Sequence, residues 1–353
     1  MDFLFDYGLF LAKIATFVIA LLVILVLVKS SNQRSGAQKG HLEVLDLSKQ
    51  YRDNVEQLSE HLVDEQQRKI QQKQERKAEK AKQKEQQKSL KKAAKEGKVL
   101  EERQPHVFVL DFKGGIDAKE VSSLREEISA ILAVAKEGDE VLLRLESGGG
   151  MVHAYGLASS QLDRIKKAGL PLTISVDKVA ASGGYMMACV ADKIVSAPFA
   201  IVGSIGVIAQ IPNFNKVLKK YDIEYEQLTA GEYKRTLTMF GENSDKARDK
   251  FKQELEETHG LFKQFIEQHR PSLALDEVAT GEHWFGIKAH QLGLVDELST
   301  SDELLATMCQ EKSVLQIRYA QKKKISDRLS GAGAKLVDGV LLKLAERGKE
   351  PIV

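Results

Sequence analysis

Val107-Phe108-Val109-Leu110-Asp111-Phe112, the amphipathic run from Ala118 to Lys136, and Val141-Leu142-Leu143-Arg144-Leu145 spell strand, helix, strand. The outer two are apolar runs of strand length, and between them the apolar side chains recur at helical spacing. Downstream the pattern repeats: Met151 to Lys167 reads as helix, Leu172 to Val176 as strand, and the segment opening at Ser182 as a short buried helix. Lys193 to Ser196 and Ile205 to Ala209 read as later strands, and Arg248 to His269 as a long charged helix stopped by Pro271. Repeated strand–helix units imply a mostly parallel sheet covered by helices, an α/β domain.

Outward from this core the composition changes. Leu9 to Val28 is an apolar stretch interrupted by Lys13, long enough to span a bilayer as a helix. The polar and basic residues Lys29 to Arg34 follow it rather than a small-residue cleavage site, so it reads as an anchor and not as a signal peptide. Gln66 to Lys98 carries thirteen Lys/Arg, four Glu and eight Gln, with almost nothing apolar to bury. Its positive surplus exceeds the +2 of the whole chain, so the basicity is local and the remainder is net negative. A solvated spacer, in part resting on anionic lipid, accounts for it, and no nucleic-acid partner is implied. The expected organisation is an anchor over 1–30, a charged helical or disordered linker over 31–103, a catalytic domain over 104–320 and a tail over 321–353.

Two cysteines, Cys189 and Cys309, offer no disulfide framework, and eight scattered histidines give no metal-ligand pair. Cys189 lies in an apolar run and reads as a small buried hydrophobe. Neither metal nor organic cofactor is implied.

The chemistry concentrates at Val179-Ala180-Ala181-Ser182-Gly183-Gly184-Tyr185. Ser182 stands where strand gives way to helix, so free N–H groups of the helix start would face an oxyanion formed on its acyl partner. Small neighbours leave room for a substrate backbone. A serine nucleophile needs a base, and Ala154 to Thr258 contains no histidine. Lysine is the remaining candidate. It must be neutral to accept a proton, whereas a solvated lysine is protonated at neutral pH, so the site has to desolvate it and keep carboxylates away.

These fragments resemble the Ser-Lys peptidases of the signal peptide peptidase A family. The likeness extends over nearly the whole chain: the anchor, the linker, Leu145 to Gly150, the serine motif, Val202-Gly203-Ser204-Ile205-Gly206-Val207, Gly231-Glu232-Tyr233-Lys234-Arg235-Thr236, and Gly293-Leu294-Val295-Asp296-Glu297. It implies a ClpP/crotonase-like fold of ββα repeats, with Trp284 to Glu297 as its closing helix and turn. Ser182 would be the nucleophile, Lys234, 52 residues on, the general base, and Ser204 the residue orienting the lysine amine. Gly183 and Gly150 would donate the oxyanion-hole N–H groups. Gly148 stands where the family has a proline, and three successive glycines should leave that donor mobile. The resemblance further implies peptide substrates with small or apolar side chains, such as signal peptides or other membrane-derived or unfolded segments, a homo-oligomer in which serine and lysine can come from one subunit or from neighbouring ones, and a bacterial inner-membrane location.

Three rivals are weaker. A Ser-His-Asp site lacks a histidine at workable spacing, with His153, His259 and His283 reading as surface or core residues. An acyl-CoA enzyme leaves the serine and lysine motifs unexplained, and an inactive tethered scaffold leaves their retention unexplained. The sidedness signals conflict. Asp2 and Asp6 before the apolar run, against Lys29, Arg34 and Lys39 after it, place the domain in the cytoplasm, whereas the family resemblance favours the periplasm.

Overall fold

The computed structural model describes residues 7, 8, 10, 11, 13–18, 40–62 and 104–321. Residues 42–319 form one compact unit, and 1–41 with 320–353 form another. In the latter, the described part of 7–18 is helical, with Phe10, Leu11, Ile14 and Phe17 exposed. The membrane span expected over Leu9–Val28 lies mostly outside the described residues, as do the basic stretch 66–98 and the tail. Among the described residues no helix is long and apolar enough to cross a membrane.

The larger unit is the expected α/β domain. Its strands are β1 (His41–Asp46), β2 (His106–Gly114), β3 (Glu140–Ser147), β4 (Leu172–Val176), β5 (Val179–Ala181), β6 (Lys193–Ser196), β7 (Ile201–Gly203), β8 (His283–Phe285), β9 (Glu297–Leu298) and β10 (Ser313–Ala320). The main sheet runs β1-β10-β2-β3-β4-β6-β9, and every pairing from β10 to β9 is parallel. The helices are α1 (Leu47–Leu62), α2 (Val121–Val134), α3 (Val152–Lys167), α4 (Gly183–Ala188), α5 (Asn215–Lys220), α6 (Asp245–His269), α7 (Leu275–Val278), α8 (Gly286–Gln291) and α9 (Ser301–Glu311).

β2 shows why its sequence is apolar throughout. Phe108, Leu110 and Phe112 enter the main core with Leu124 and Ile128 of α2 and Leu162 of α3, while Val107 and Val109 join Leu142 and Val314 beneath Leu47 and Tyr51 of α1 and Leu304 of α9. Both faces are covered, as a parallel sheet requires. The span 31–103 is therefore not linker throughout. Residues 41–62 carry a strand and a helix, and buried Ser48 of α1 donates to the Lys312 carbonyl and accepts from the Val314 amide of β10.

Three strands lie off the path of the main sheet. After Val176 the chain steps sideways, and β5 pairs with the very end of β3, Ser147 opposite Ala180. After β6 it repeats the step, and β7 pairs with β5 in parallel, Ala181 opposite Gly203. β4-β5-α4 is thus a strand–strand–helix unit, and β8 closes the short arm antiparallel to β7.

Ile205 to Ala209 is not a strand. Gly203 and Ser204 have φ of 105° and 52°, which turns the chain out of the sheet, and Ile208 beyond them is exposed without a partner strand. Trp284 likewise belongs to β8 rather than to the closing helix, which is the six-residue α8.

The Gly293–Glu297 motif is structural. Gly293 takes φ 77° as α8 ends, the Leu294 carbonyl accepts from the buried Tyr185 hydroxyl at 3.0 Å, and Asp296 accepts two bonds from Arg270 (2.6 and 2.8 Å) and one from the Ile194 amide (2.7 Å). Burial works against the ionised Asp296 carboxylate, but Arg270 and the Ile194 amide outweigh it and hold its pKa below the usual range. A lowered carboxylate pKa contributes stability that is present at neutral pH and is lost as pH falls through the folded-state value. Asp296→Ala is expected to cost about 2 kcal/mol, a Tm drop of about 5 °C, at pH 7. Thermal melts should show that gap closing in acid.

Candidate active site

β3, β5 and β7 lie side by side and run parallel, so the residues leaving their carboxyl ends, Gly148, Ser182 and Ser204, emerge on one rim. Ligand sites in parallel sheets form at such ends.

Ser182 has φ 53° and ψ −119°, a conformation that costs a non-glycine residue about 1–3 kcal/mol. The surrounding backbone fixes it: its amide donates to the Gly203 carbonyl at 2.8 Å, and its carbonyl accepts from the Met186 amide at 3.0 Å as α4 begins. The side chain makes no capping bond to α4 and is left available. Gly183, the first residue of α4, has an amide with no intrahelical acceptor.

The turn after β3 packs directly on this nucleophile candidate. A Cβ on Gly149, which has φ 86°, would lie 2.7 Å from the Gly183 nitrogen and 2.8 Å from Ser182 Cβ, so only glycine permits the approach. The Gly149 amide is already used, donating to Ser147 Oγ at 3.1 Å. Gly150, the next residue, borders the same cavity as Ser182 and Gly183.

The cavity is small, ≈ 20 Å³, and mostly apolar. Met186 of α4 and Thr258 and Phe262 of α6 line it beside Ser182. α6 reaches it because Ser244 caps its start by accepting from the Ala247 amide and because Phe262 and Ile266, one turn apart, are its buried residues.

Ser204 leaves β7 as Ser182 leaves β5. Its φ is 52°, and its amide donates to the Glu282 carbonyl at 2.6 Å. Lys234 is placed differently. It is exposed, sits in a turn whose amide donates to the Gly231 carbonyl at 3.2 Å, and is not among the residues lining the cavity. Its neighbour Glu232 is committed elsewhere, to Lys246 at 2.5 Å. One copy of the chain thus gathers Ser182, Gly183 and Gly150 at the cavity, with Ser204 on the same rim, and leaves Lys234 outside. Lys234 belongs to a segment that exposes Ile208, Tyr221, Ile223 and Leu228.

The histidines stay apart from this chemistry. His153 and His283 are exposed, and His259 of α6 is half-buried with a buried, unpartnered Nε2 and does not line the cavity. Among the described residues no group of His, Cys, Asp and Glu is arranged to hold a metal. Cys189 is buried, and burial pushes its thiol pKa up, as expected of a small hydrophobe rather than a reactive group.

Sequence reasoning missed Ser147 and Tyr155. Tyr155 is wholly buried on α3, its ring fills the space that a side chain on Gly183 would need, and its hydroxyl donates to the Gly115 carbonyl at 2.7 Å while also bonding Ser147 Oγ. Burial pushes the phenol pKa up, so it remains a donor at any working pH. The available signal was a phenolic hydroxyl within the apolar stripe of a helix, where such a group needs a partner.

The chain is 54% identical over 325 residues to "Probable protease SohB" of Haemophilus influenzae, which covers 92% of this chain and 91% of the relative. It is 52% identical over 344 residues to a protein of the same name from Buchnera aphidicola of Acyrthosiphon pisum, covering 98% of each. A solved membrane-bound stomatin-specific protease with a substrate peptide is 17% identical at a TM-score of 0.38, over 64% of this chain and 96% of its own, a likeness too remote to fix topology. Residues 2–162 match the family model "Peptidase family S49 N-terminal" and residues 164–315 match "Peptidase family S49". With both halves matched and relatives of this identity along nearly its whole length, the chain belongs to peptidase family S49 and is a peptidase.

Proposed function

We propose that this peptidase is a membrane-anchored serine endopeptidase working through a Ser182–Lys234 dyad. The observation that carries the reading is Ser182 itself: a strained, uncapped serine at the mouth of a small cavity, flanked by the Gly183 amide and by a glycine turn packed against it. Ser182 Oγ attacks the scissile carbonyl and gives its proton to the Lys234 amine, and the oxyanion is held by the amides of Gly150 and Gly183. The protonated amine then passes the proton to the leaving nitrogen. Water, deprotonated by the same lysine, cleaves the acyl-enzyme and restores Ser182.

Lys234 comes to the site from a neighbouring copy in a homo-oligomer. Exposed Ile208, Tyr221, Ile223 and Leu228 on the same segment supply apolar surface suited to burial between subunits. A cavity of this size accepts a small apolar side chain, which fits signal peptides and other membrane-derived or unfolded segments bound extended. The apolar run Leu9–Val28 anchors the enzyme in the bacterial inner membrane, and the flanking charges place the catalytic unit on the cytoplasmic side.

A phosphonylating serine probe tests the reading. Mass spectrometry should find the adduct on Ser182, and an unlabelled Ser182 in protein that hydrolyses peptide overturns it. Ser204→Ala should slow hydrolysis by about 10- to 1000-fold, what one contact orienting the base contributes, without preventing folding. An unchanged rate reduces Ser204 to a turn residue.

A further inference from the structure

We infer that Tyr155 and Ser147 are positioning residues that lock the glycine turn 148–150 in the geometry needed for oxyanion binding. Three consecutive glycines are the least restrained backbone a turn can have. Here the turn is held at both ends. The Gly149 amide donates to Ser147 Oγ at 3.1 Å, Ser147 Oγ bonds the Tyr155 hydroxyl, and that hydroxyl donates to the Gly115 carbonyl at 2.7 Å. Two residues further on, the Met151 amide donates to the Ile116 carbonyl at 2.9 Å. The loop after β2 is therefore tied twice to the loop after β3.

The two hydroxyls at the centre of this network are buried, Tyr155 with no exposed surface and Ser147 with 2%, and Ser147 Oγ also lies within donating distance of the Gly114 carbonyl, at 3.2 Å. Hydrogen-bond networks with a buried centre polarise their members and resist rearrangement. Tyr155 also serves the other half of the site, because its ring packs where a Gly183 side chain would stand and so backs the first residue of α4. One side chain thereby sets the spacing between the Gly150 and Gly183 amides. The network supplies the stiffness that a proline at position 148 would otherwise give. Neither a left-handed backbone nor a clash opposes a proline there, since Gly148 is not among the glycines with positive φ, a Cβ on it meets nothing within 4 Å, and Ser147 before it is in extended β3.

The inference rests on the oxyanion role proposed above for Gly150 and Gly183, and the test separates the two. Tyr155→Phe keeps the ring beneath Gly183 and removes only the hydroxyl, and Ser147→Ala removes the acceptor of the Gly149 amide while leaving Tyr155 bonded to Gly115. Interactions formed only in the transition state act on kcat. Each variant is expected to lose about 10- to 100-fold in kcat, with KM changed less than about twofold, and to react correspondingly more slowly with the phosphonylating probe. Adding Gly148→Pro to either should bring kcat back to within about threefold of the wild type. Should Tyr155→Phe fail to fold by its thermal melt, Ser147→Ala carries the test. Unchanged kcat in folded variants, a loss carried by KM, or a loss that Gly148→Pro leaves untouched overturns the inference. Failure of wild-type Ser182 to take the probe, by contrast, overturns the catalytic reading itself.

Discussion

Ser182→Ala should abolish peptide hydrolysis, with a fall in kcat of about 10⁴- to 10⁶-fold and a melting temperature no lower than that of the wild type. The size follows from the route: without Oγ no acyl-enzyme forms, and only the oxyanion amides and substrate binding remain to assist water. Retained stability follows from the structure, because Ser182 Oγ caps no helix amide and the residue is held by its own backbone bonds to Gly203 and Met186. The positive φ of Ser182 is strained for serine and alanine alike, so the exchange alters chemistry and leaves the turn as it was. Hydrolysis assays on the purified full chain, paired with melts, check both halves. Appreciable cleavage by the folded variant would sink the serine mechanism.

The parallel core was legible because each of its segments carries its own pattern. Leu172–Val176 and Lys193–Ser196 are observed as read, and β2 and β3 extend a residue or two beyond the apolar runs that announced them. What could not be read is the sideways step after β4 and again after β6. Three-residue strands such as β5 and β7 are too short to show a period, and their partners are fixed by distant segments. The error at Ile205–Ala209 has the same origin. An apolar run reads as a strand, but the positive φ at Gly203 and Ser204 sends it out of the sheet.

The site divides along the same line. The serine motif nominated a nucleophile through its small residues, and the structure adds why they are small: Gly149 packs on Ser182 and Gly183, and Gly183 rests on Tyr155. The mobility expected of Gly148-Gly149-Gly150 is offset by Ser147 and Tyr155, whose roles depend on a bond between residues eight apart that no local pattern displays. Lys234 was nominated only by resemblance. Nothing in its neighbourhood marks it as buried, and in one copy of the chain it is exposed.

That exposure makes the lysine variant the more informative of the two large effects. Lys234→Ala should match Ser182→Ala, a loss of about 10⁴-fold or more, because nucleophile and base act as a unit, and the double variant should be no worse than either alone. If the lysine serves the neighbouring subunit, the two inactive chains complement each other. A Lys234→Ala chain supplies an intact Ser182 and a Ser182→Ala chain supplies an intact Lys234, so a head-to-tail interface between them rebuilds a full dyad. In an equal mixture reassembled at random, about one site in four is complete, and the mixture should recover about a quarter of wild-type activity. Size-exclusion chromatography with two distinguishable tags verifies that mixed oligomers have formed. Mixed oligomers without activity would place the dyad within a single chain, and a folded Lys234→Ala protein that cleaves at the wild-type rate would remove the lysine from the mechanism.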